Sequence, residues 1–262
     1  MAGAQRFDGP TKPGREMHLA AGGALHKISG WWIPFLHTLL ASAAFLSALV
    51  VGCKLHYLKI VRNEHYGYPD EWFPSVSATI GDRYPERNVF QVLIALTAPP
   101  RLLLHVFWLV LTVRAAPKRA KAVFWIGFLR TWTCAGWVYV TSTDDHDVHD
   151  VMMIAYMLLT LPYMVLLIQL GDRALFGHSV GRLAANKSRR KLVCGLFFGA
   201  IPPMIYFFIS HKVHKIAGAY TSYAFFEWAL IVFDVLFDSL AMVEFKALDL
   251  AILPAKSDEQ RD

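Results

Sequence analysis

The sequence predicts an all-α polytopic membrane protein with six transmembrane helices and both termini in the cytosol. Of its 262 residues, 55% are hydrophobic and only 18% are charged, whereas soluble domains carry about 25% charged residues. The apolar residues are gathered into blocks close to the roughly 20 residues that a helix needs to cross a hydrocarbon core. The Lys and Arg residues fall mainly in alternate connections between these blocks. This composition excludes a soluble globular enzyme, a disordered protein and a disulfide-rich secreted domain.

Six apolar blocks define the predicted helices. Three contain no Asp, Glu, Lys or Arg, and they are 33–53, 151–171 and 192–210. Three carry isolated charges: 88–113 holds Arg101, 122–143 holds Arg130, and 216–243 holds Glu227, Asp234 and Asp238. We therefore expect a membrane domain over 33–246, between a cytosolic segment 1–32 and a cytosolic tail 247–262.

The basic residues predict the orientation of the helices. Seventeen of the 26 Lys and Arg residues lie in 1–32, 114–121, 172–191 and 246–262, and seven lie in the connections on the other side. Cytosolic loops of membrane proteins are enriched in Lys and Arg, so the termini are expected to be cytosolic. The net charge of +6 is interpreted as this orientation signal. Nucleic-acid binding is not expected, because the basic residues are divided among short loops.

The longest connection, 54–87, lies on the expected lumenal side. A connection of this length is more often functional, or a lid, than a simple link. Its small, weakly polar segment 74–81 is a candidate to lie across the end of the bundle.

The charges inside the blocks predict a polar interior. Glu227, Asp234 and Asp238 are spaced by seven and four residues, which places them on one face of a helix. Counting depth at 1.5 Å per residue predicts that Arg130 pairs with one of the two aspartates and that Arg101 pairs with Glu227. Two interpretations stay open: ion pairs that only hold the helices together, or a polar cavity for a lipid head group. His105 lies one turn from Arg101 on the same helix face.

A cluster of four Asp and two His residues occupies 144–150, between the third and fourth blocks. It has three interpretations. It is a solvated turn with Asp as a helix N-cap, or an acid–base site in which His149 is paired with Asp145 or Asp150. The third is a metal site, for which His146, His149 and Asp144 are weak candidates, because two histidines three residues apart form a sparse ligand set. No cofactor-binding motif accompanies the cluster.

Four segments resemble a known family, and they are PSVSATIG at 74–81, APPR at 98–101, YVTSTDDHDVHD at 139–150 and AGAYTSYAFFEW at 217–228. They are similar to the post-GPI-attachment-to-proteins factor 2 family, within the Frag/DRAM-type membrane proteins. The N-terminal region of the yeast GPI ceramide-remodelling protein is also similar to that family. The family-matching residues are Pro74, Ser75, Ser77, Ile80, Gly81, Arg101, Asp144, Asp145, His149, Asp150, Tyr220, Thr221 and Glu227. The family tends to have Asn and His where this chain has Asp234 and Asp238, which favours a structural pairing of these two residues with Arg130.

The resemblance implies GPI-anchor lipid remodelling in the Golgi or endoplasmic reticulum membrane. The implied reaction adds a saturated fatty acid to lyso-GPI or exchanges its lipid. The implied partners are lyso-GPI or GPI-anchored proteins, a lipid acyl donor and another remodelling protein, with no cofactor. On this hypothesis His149, with Asp145 or Asp150, removes a proton from the free glycerol hydroxyl, and Arg101 contacts the inositol phosphate. The expected substrate-binding residues are Arg101, His105, Glu227, Ser75, Ser77 and Tyr220.

Two other functions remain open at the level of the sequence. The chain is either a non-catalytic subunit that presents lyso-GPI to a separate transferase, or a metal-dependent membrane lipid hydrolase that uses His146 and His149.

Overall fold

The computed structural model describes residues 26–81, 83–171 and 180–252. In these ranges the chain forms a bundle of long helices with two short helices and one small sheet. The elements, in chain order, are β1 His26–Ser29, α1 Trp32–Ile60, α2 Val76–Ile80, α3 Glu86–Thr112, α4 Pro117–Tyr139, α5 His146–Leu170, α6 Val180–Lys212, α7 Ala219–Ser239, α8 Ala241–Phe245 and β2 Asp249–Ile252.

Each predicted block overlaps one long helix, but the helix ends differ from the block ends. The first helix continues to Ile60, seven residues beyond its block, and α6 begins twelve residues before 192. Polar residues do not interrupt helical hydrogen bonding, so apolar content locates a helix better than it locates the ends of that helix. Residues 1–25 of the predicted cytosolic segment 1–32, and residues 253–262 of the predicted tail 247–262, lie outside the described residues.

Four helices in the described ranges are long and apolar enough to cross a membrane: α1, α3, α5 and α6. The other two long helices are α4 and α7. Helix α4 begins with a basic turn and contains Arg130, and α7 contains Glu227, Asp234 and Asp238. The architecture is therefore that of a helical multi-pass membrane protein.

The long helices pack in pairs around one interior. Helix α1 packs along α3, α4 along both α3 and α5, and α6 along α7, while α7 also contacts α1. One apolar core includes Trp108, Tyr163 and Phe237, and a second includes Phe45, Phe90 and Trp137. The second core contains Val76 and Ile80 of α2, so this short helix marks one end of the bundle, called here the α2 end.

The connection between α1 and α3 closes the α2 end. Buried Glu71 accepts hydrogen bonds from the backbone N–H groups of Gly218 (3.0 Å) and Thr221 (2.7 Å), at the start of α7. The Trp228 indole N–H donates to the Pro74 carbonyl at 2.9 Å. These bonds hold α2 across the end of the bundle, where segment 74–81 was expected to lie.

A two-stranded antiparallel sheet lies at the opposite end, called here the sheet end. Strand β1 pairs with β2, and the Gly30 N–H donates to the Leu248 carbonyl at 2.7 Å. The all-α prediction missed this sheet, because strands of four residues are too short to produce a periodic signal. The sheet joins the segment before α1 to the segment after α8.

Candidate functional site

A cavity of about 110 Å³ lies inside the bundle, beneath α2. Most of its lining is apolar and comes from all six long helices. Its polar lining residues are His37, Ser77, Thr97, Arg101, His149, Tyr156, Tyr223, Glu227 and Asp234. The fold thus brings four of the predicted catalytic and substrate-binding residues, Ser77, Arg101, His149 and Glu227, to one internal space.

His149 lies in the first turn of α5 and is only 6% exposed. Its ring Nδ1 is 2.9 Å from the backbone carbonyl oxygen of Val140. Since a carbonyl oxygen only accepts hydrogen bonds, the neutral imidazole carries its proton on Nδ1. Its Nε2 has no hydrogen-bond partner among the described residues and can accept one. In this structure the His149 ring is therefore oriented by the Val140 carbonyl rather than by the expected carboxylate of Asp145 or Asp150. Asp145 is the N-cap of α5 and accepts from the Val148 N–H at 3.0 Å.

The turn that supplies the Val140 carbonyl is held by Asp144. The Asp144 carboxylate accepts from the Thr141 hydroxyl at 2.8 Å, from the Thr141 N–H at 3.1 Å and from Arg87 Nη2 at 2.6 Å. The hydrogen bonds from Thr141, followed by the Arg87 guanidinium, hold the pKa of Asp144 below its ordinary value.

The metal interpretation is not supported by this geometry. His146 is exposed and faces Asp150, with Nε2 3.5 Å from the carboxylate. Asp144 faces Thr141 and Arg87, and His149 faces the Val140 carbonyl, so the three candidates have different partners. Over the described ranges, no group of three or more His, Cys, Asp or Glu residues is arranged to hold a metal ion.

Glu227 connects α7 to α2. Its carboxylate accepts from the Val76 N–H at 2.7 Å and from the Ser77 hydroxyl at 3.1 Å. These bonds use the oxygens that were expected to face Arg101. Ser75 and Tyr220 lie outside the cavity lining, and their hydroxyl oxygens are 2.9 Å apart. They support the start of α2, so their place in the fold is structural.

A cluster of four charges lies deeper in the bundle. Arg130 contacts Asp234 directly and lies 3.6 Å from Asp238. Arg101 Nη2 lies 3.4 Å from Asp234 and 3.7 Å from Asp238, rather than next to Glu227. Tyr156 joins the cluster, because its hydroxyl donates to Asp234 and accepts from Arg101 Nη2 at 2.8 Å. With all four groups ionised the cluster has no net charge.

Two histidines near this cluster have different environments. His105 lies outside the cavity lining, with Nε2 3.2 Å from the Thr131 hydroxyl and its ring edge-on to Tyr163. His37, on α1, lines the cavity and is 3% exposed, and its Nδ1 has no hydrogen-bond partner among the described residues. His37 was missed because the first block was judged only by its lack of Asp, Glu, Lys and Arg. A histidine inside such a run was the available signal.

Comparison with known proteins gives a family for this architecture. The family profile described as the Frag1/DRAM/Sfk1/Cwh43P N-terminal domain matches residues 29–248. The chain is 48% identical to the protein cwh43 of Schizosaccharomyces pombe over 84% of this chain, but it spans only 22% of that relative's length. It is 26% identical to the acyltransferase PGAP2 of Xenopus tropicalis over 80% of this chain and 84% of the relative. It is 22% identical to the post-GPI attachment to proteins factor 2 of Caenorhabditis elegans over 81% of this chain and 84% of the relative. No solved structure matches the chain.

Proposed function

The chain belongs to the Frag1/DRAM/Sfk1/Cwh43P N-terminal domain family, and from this membership we propose that it remodels the lipid of GPI anchors. The proposed reaction transfers a fatty acyl group to lyso-GPI or exchanges the lipid of the anchor. The names of two relatives, an acyltransferase and a post-GPI attachment factor, support this substrate class. The proposed location is the Golgi or endoplasmic reticulum membrane, with the α2 end in the lumen.

The observation that carries the proposal is a buried histidine with a free acceptor nitrogen in a mostly apolar cavity. In the proposed acyl transfer, His149 Nε2 accepts the proton of the lyso-GPI glycerol hydroxyl while the hydroxyl oxygen forms a bond to the acyl carbon of a donor lipid ester. The bond from that carbon to the donor's alcohol oxygen breaks, and the alcohol leaves with the proton returned by His149. Apolar walls favour a lipid hydroxyl over water as the acceptor.

The depth of the charged cluster argues for a structural role of Arg101. Tyr156, which binds Arg101, follows His149 by seven residues, or about 10 Å along α5. A GPI lipid with its glycan at the α2 end places its phosphate nearer to that end than its glycerol. If His149 acts on the glycerol hydroxyl, the phosphate therefore lies away from Arg101. Arg101 is also already balanced by Asp234 and Asp238. We assign Arg101 to the floor of the cavity rather than to the phosphate.

Six membrane crossings, with both ends of the domain on the cytosolic side, are part of the proposal. Pairing of β1 with β2 supports an even number of crossings, because these strands precede α1 and follow α8. The contacts of Arg130 with Asp234 and Asp238 support a membrane position for α4 and α7. Intramembrane charges are tolerated where they face the bundle interior and pair with one another.

The test is a reconstituted assay with purified protein, lyso-GPI and donor phospholipids, read by mass spectrometry. We expect His149→Gln to lower the transfer rate by about 10²- to 10⁴-fold, which is the usual contribution of a general base. His146→Gln is the matched control, because it removes an exposed histidine from the same turn, and we expect it to keep the wild-type rate. A folded His149→Gln protein with wild-type turnover would refute the assignment. A wild-type protein that binds lyso-GPI without converting it would instead identify a subunit that presents the lipid to a separate transferase.

A further inference from the structure

Among the described residues, the partly exposed lining of the cavity is concentrated on three helices. Its lining residues on α1, α3 and α4 are all buried. Apart from Ser77, the lining residues that keep partial exposure lie on α5, α6 and α7, and they are Met153, Met157, Met204, Tyr223, Ile231 and Val235. The opening of the cavity therefore faces sideways, between α5 and the α6–α7 pair.

Helix packing explains this opening. The close partner of α5 is α4, and the close partner of α6 is α7. Between α5 and α7 the described contacts include side-chain hydrogen bonds deep in the bundle, from Tyr156 to Asp234 and from Tyr163 to Asp238 at 3.4 Å. Nearer the α2 end, α6 contributes Met204 to the lining. The end itself is covered by α2, which Glu227 holds in place.

His149, Met153 and Met157 lie at successive four-residue steps along α5, and all three line the cavity. Residues at this spacing form one stripe on a helix face. The stripe runs from the proposed proton acceptor at the α2 end to flexible apolar side chains about 12 Å deeper. Methionine side chains adapt to irregular apolar partners because they are unbranched and polarisable.

We propose that the opening between α5 and α6–α7 is a lateral portal for the acyl chain of a membrane lipid. The chain lies along the Met153–Met157 stripe, with its carbonyl end at His149 and its methyl end toward the middle of the bundle. The occupant is an unbranched hydrocarbon chain, since the portal lining is apolar apart from the Tyr223 hydroxyl and opens toward the membrane rather than toward the covered α2 end. This inference rests on the proposed function for the place of the carbonyl.

A photolabelling experiment tests the portal without requiring turnover. The wild-type protein is reconstituted with phosphatidylcholine that carries a diazirine on a palmitoyl chain, irradiated, digested and mapped by mass spectrometry. We expect labels on Met153, Met157 and Met204 that exceed the labels on Leu158, an outward-facing residue of α5 that is 71% exposed. An excess of unlabelled phosphatidylcholine should lower the portal labels more than the Leu158 label. Equal labelling of all four residues would overturn the proposal.

A substitution experiment tests the same portal through activity. We expect Met157→Trp to lower transfer from a palmitoyl donor at least tenfold and to leave transfer from a butyryl donor within twofold. Leu158→Trp is the matched control, because it adds the same ring to the next residue on the outer face, and we expect wild-type rates with both donors. Met204→Trp replaces Met157→Trp if the latter does not fold. Equal loss with both donors would overturn the portal. Portal labelling in a wild-type protein that shows no transfer would retain the portal and reject the reaction.

Discussion

Removing one charge from the buried cluster provides a direct test of its structural role. Arg130 is fully buried and faces Asp234 and Asp238, and Arg101 is the other cation of the cluster. Arg130→Met leaves two carboxylates with one guanidinium, and so a net buried charge. Breaking a buried ion pair from one side costs about 3–5 kcal/mol. At about 2–4 °C per kcal/mol for a chain approaching this size, the melting temperature should fall by roughly 6–20 °C.

The measurement is thermal unfolding of the purified protein in lipid nanodiscs, followed by tryptophan fluorescence. Lys121→Met is the matched control, because it removes an exposed cation from the same helix, and we expect it to change stability by less than about 0.5 kcal/mol. The double variant Arg130→Met with Asp234→Leu leaves Arg101 paired with Asp238, so it should be more stable than Arg130→Met alone. The reasoning is refuted if Arg130→Met melts like Lys121→Met, or if the two substitutions are simply additive.

Three further outcomes follow from the geometry. A Cβ at Gly127 would lie 2.7 Å from the His105 ring, whereas a Cβ at Gly199 would have no described residue within 4 Å. In the same unfolding assay Gly127→Ala should therefore cost about 1–3 kcal/mol and Gly199→Ala should cost nothing. Asp144→Ala should release the turn that orients His149, the proposed proton acceptor, and lower transfer by about 10- to 100-fold, while Asp147→Ala should leave the rate unchanged. Because the pKa of Asp144 lies below its ordinary 3.8 when folded, its stabilising effect is complete above that pH and lost as the pH falls through the folded value. Melting temperatures of wild-type and Asp144→Ala proteins should accordingly converge in acid, and a constant difference would contradict this assignment.

The helices of this fold were predictable because apolar runs of this length, with no charged residue or only a few, have few alternatives to a membrane helix. The pairing of α4 with α7 was foreseeable as well, since Arg130 and the two aspartates lie at similar depths. The partner of Arg101 was not foreseeable from depth alone. Glu227 is engaged by the backbone of α2, and nothing in the spacing of residues reveals a competing N–H group from a distant loop. The two four-residue strands left no pattern to detect.

Four of the predicted site residues line the candidate cavity, but their contacts were not predictable. His149 was chosen because it lies among carboxylates, but the group that orients it is the backbone carbonyl of Val140. Every residue type carries this carbonyl, so the identity of residue 140 does not reveal the contact. Asp145 and Asp150, the closest acidic residues in sequence, serve the helix end and His146 instead. His37 lines the cavity because α1 packs beside α3. Which helices are neighbours cannot be read from a single sequence.

Strands β1 and β2 have a consequence for how this domain combines with others. Paired strands run about 5 Å apart, so a polypeptide joined before His26 and another joined after Ile252 leave the domain side by side. A further folded domain can therefore be attached before β1 or after β2 without a change in any helix of the bundle. The start of β1 and the end of β2 can also be linked to each other. A circularly permuted chain, with a short linker across the strands and new ends between α3 and α4, should retain the same cavity. Both connections of the domain to neighbouring segments therefore pass through one small sheet.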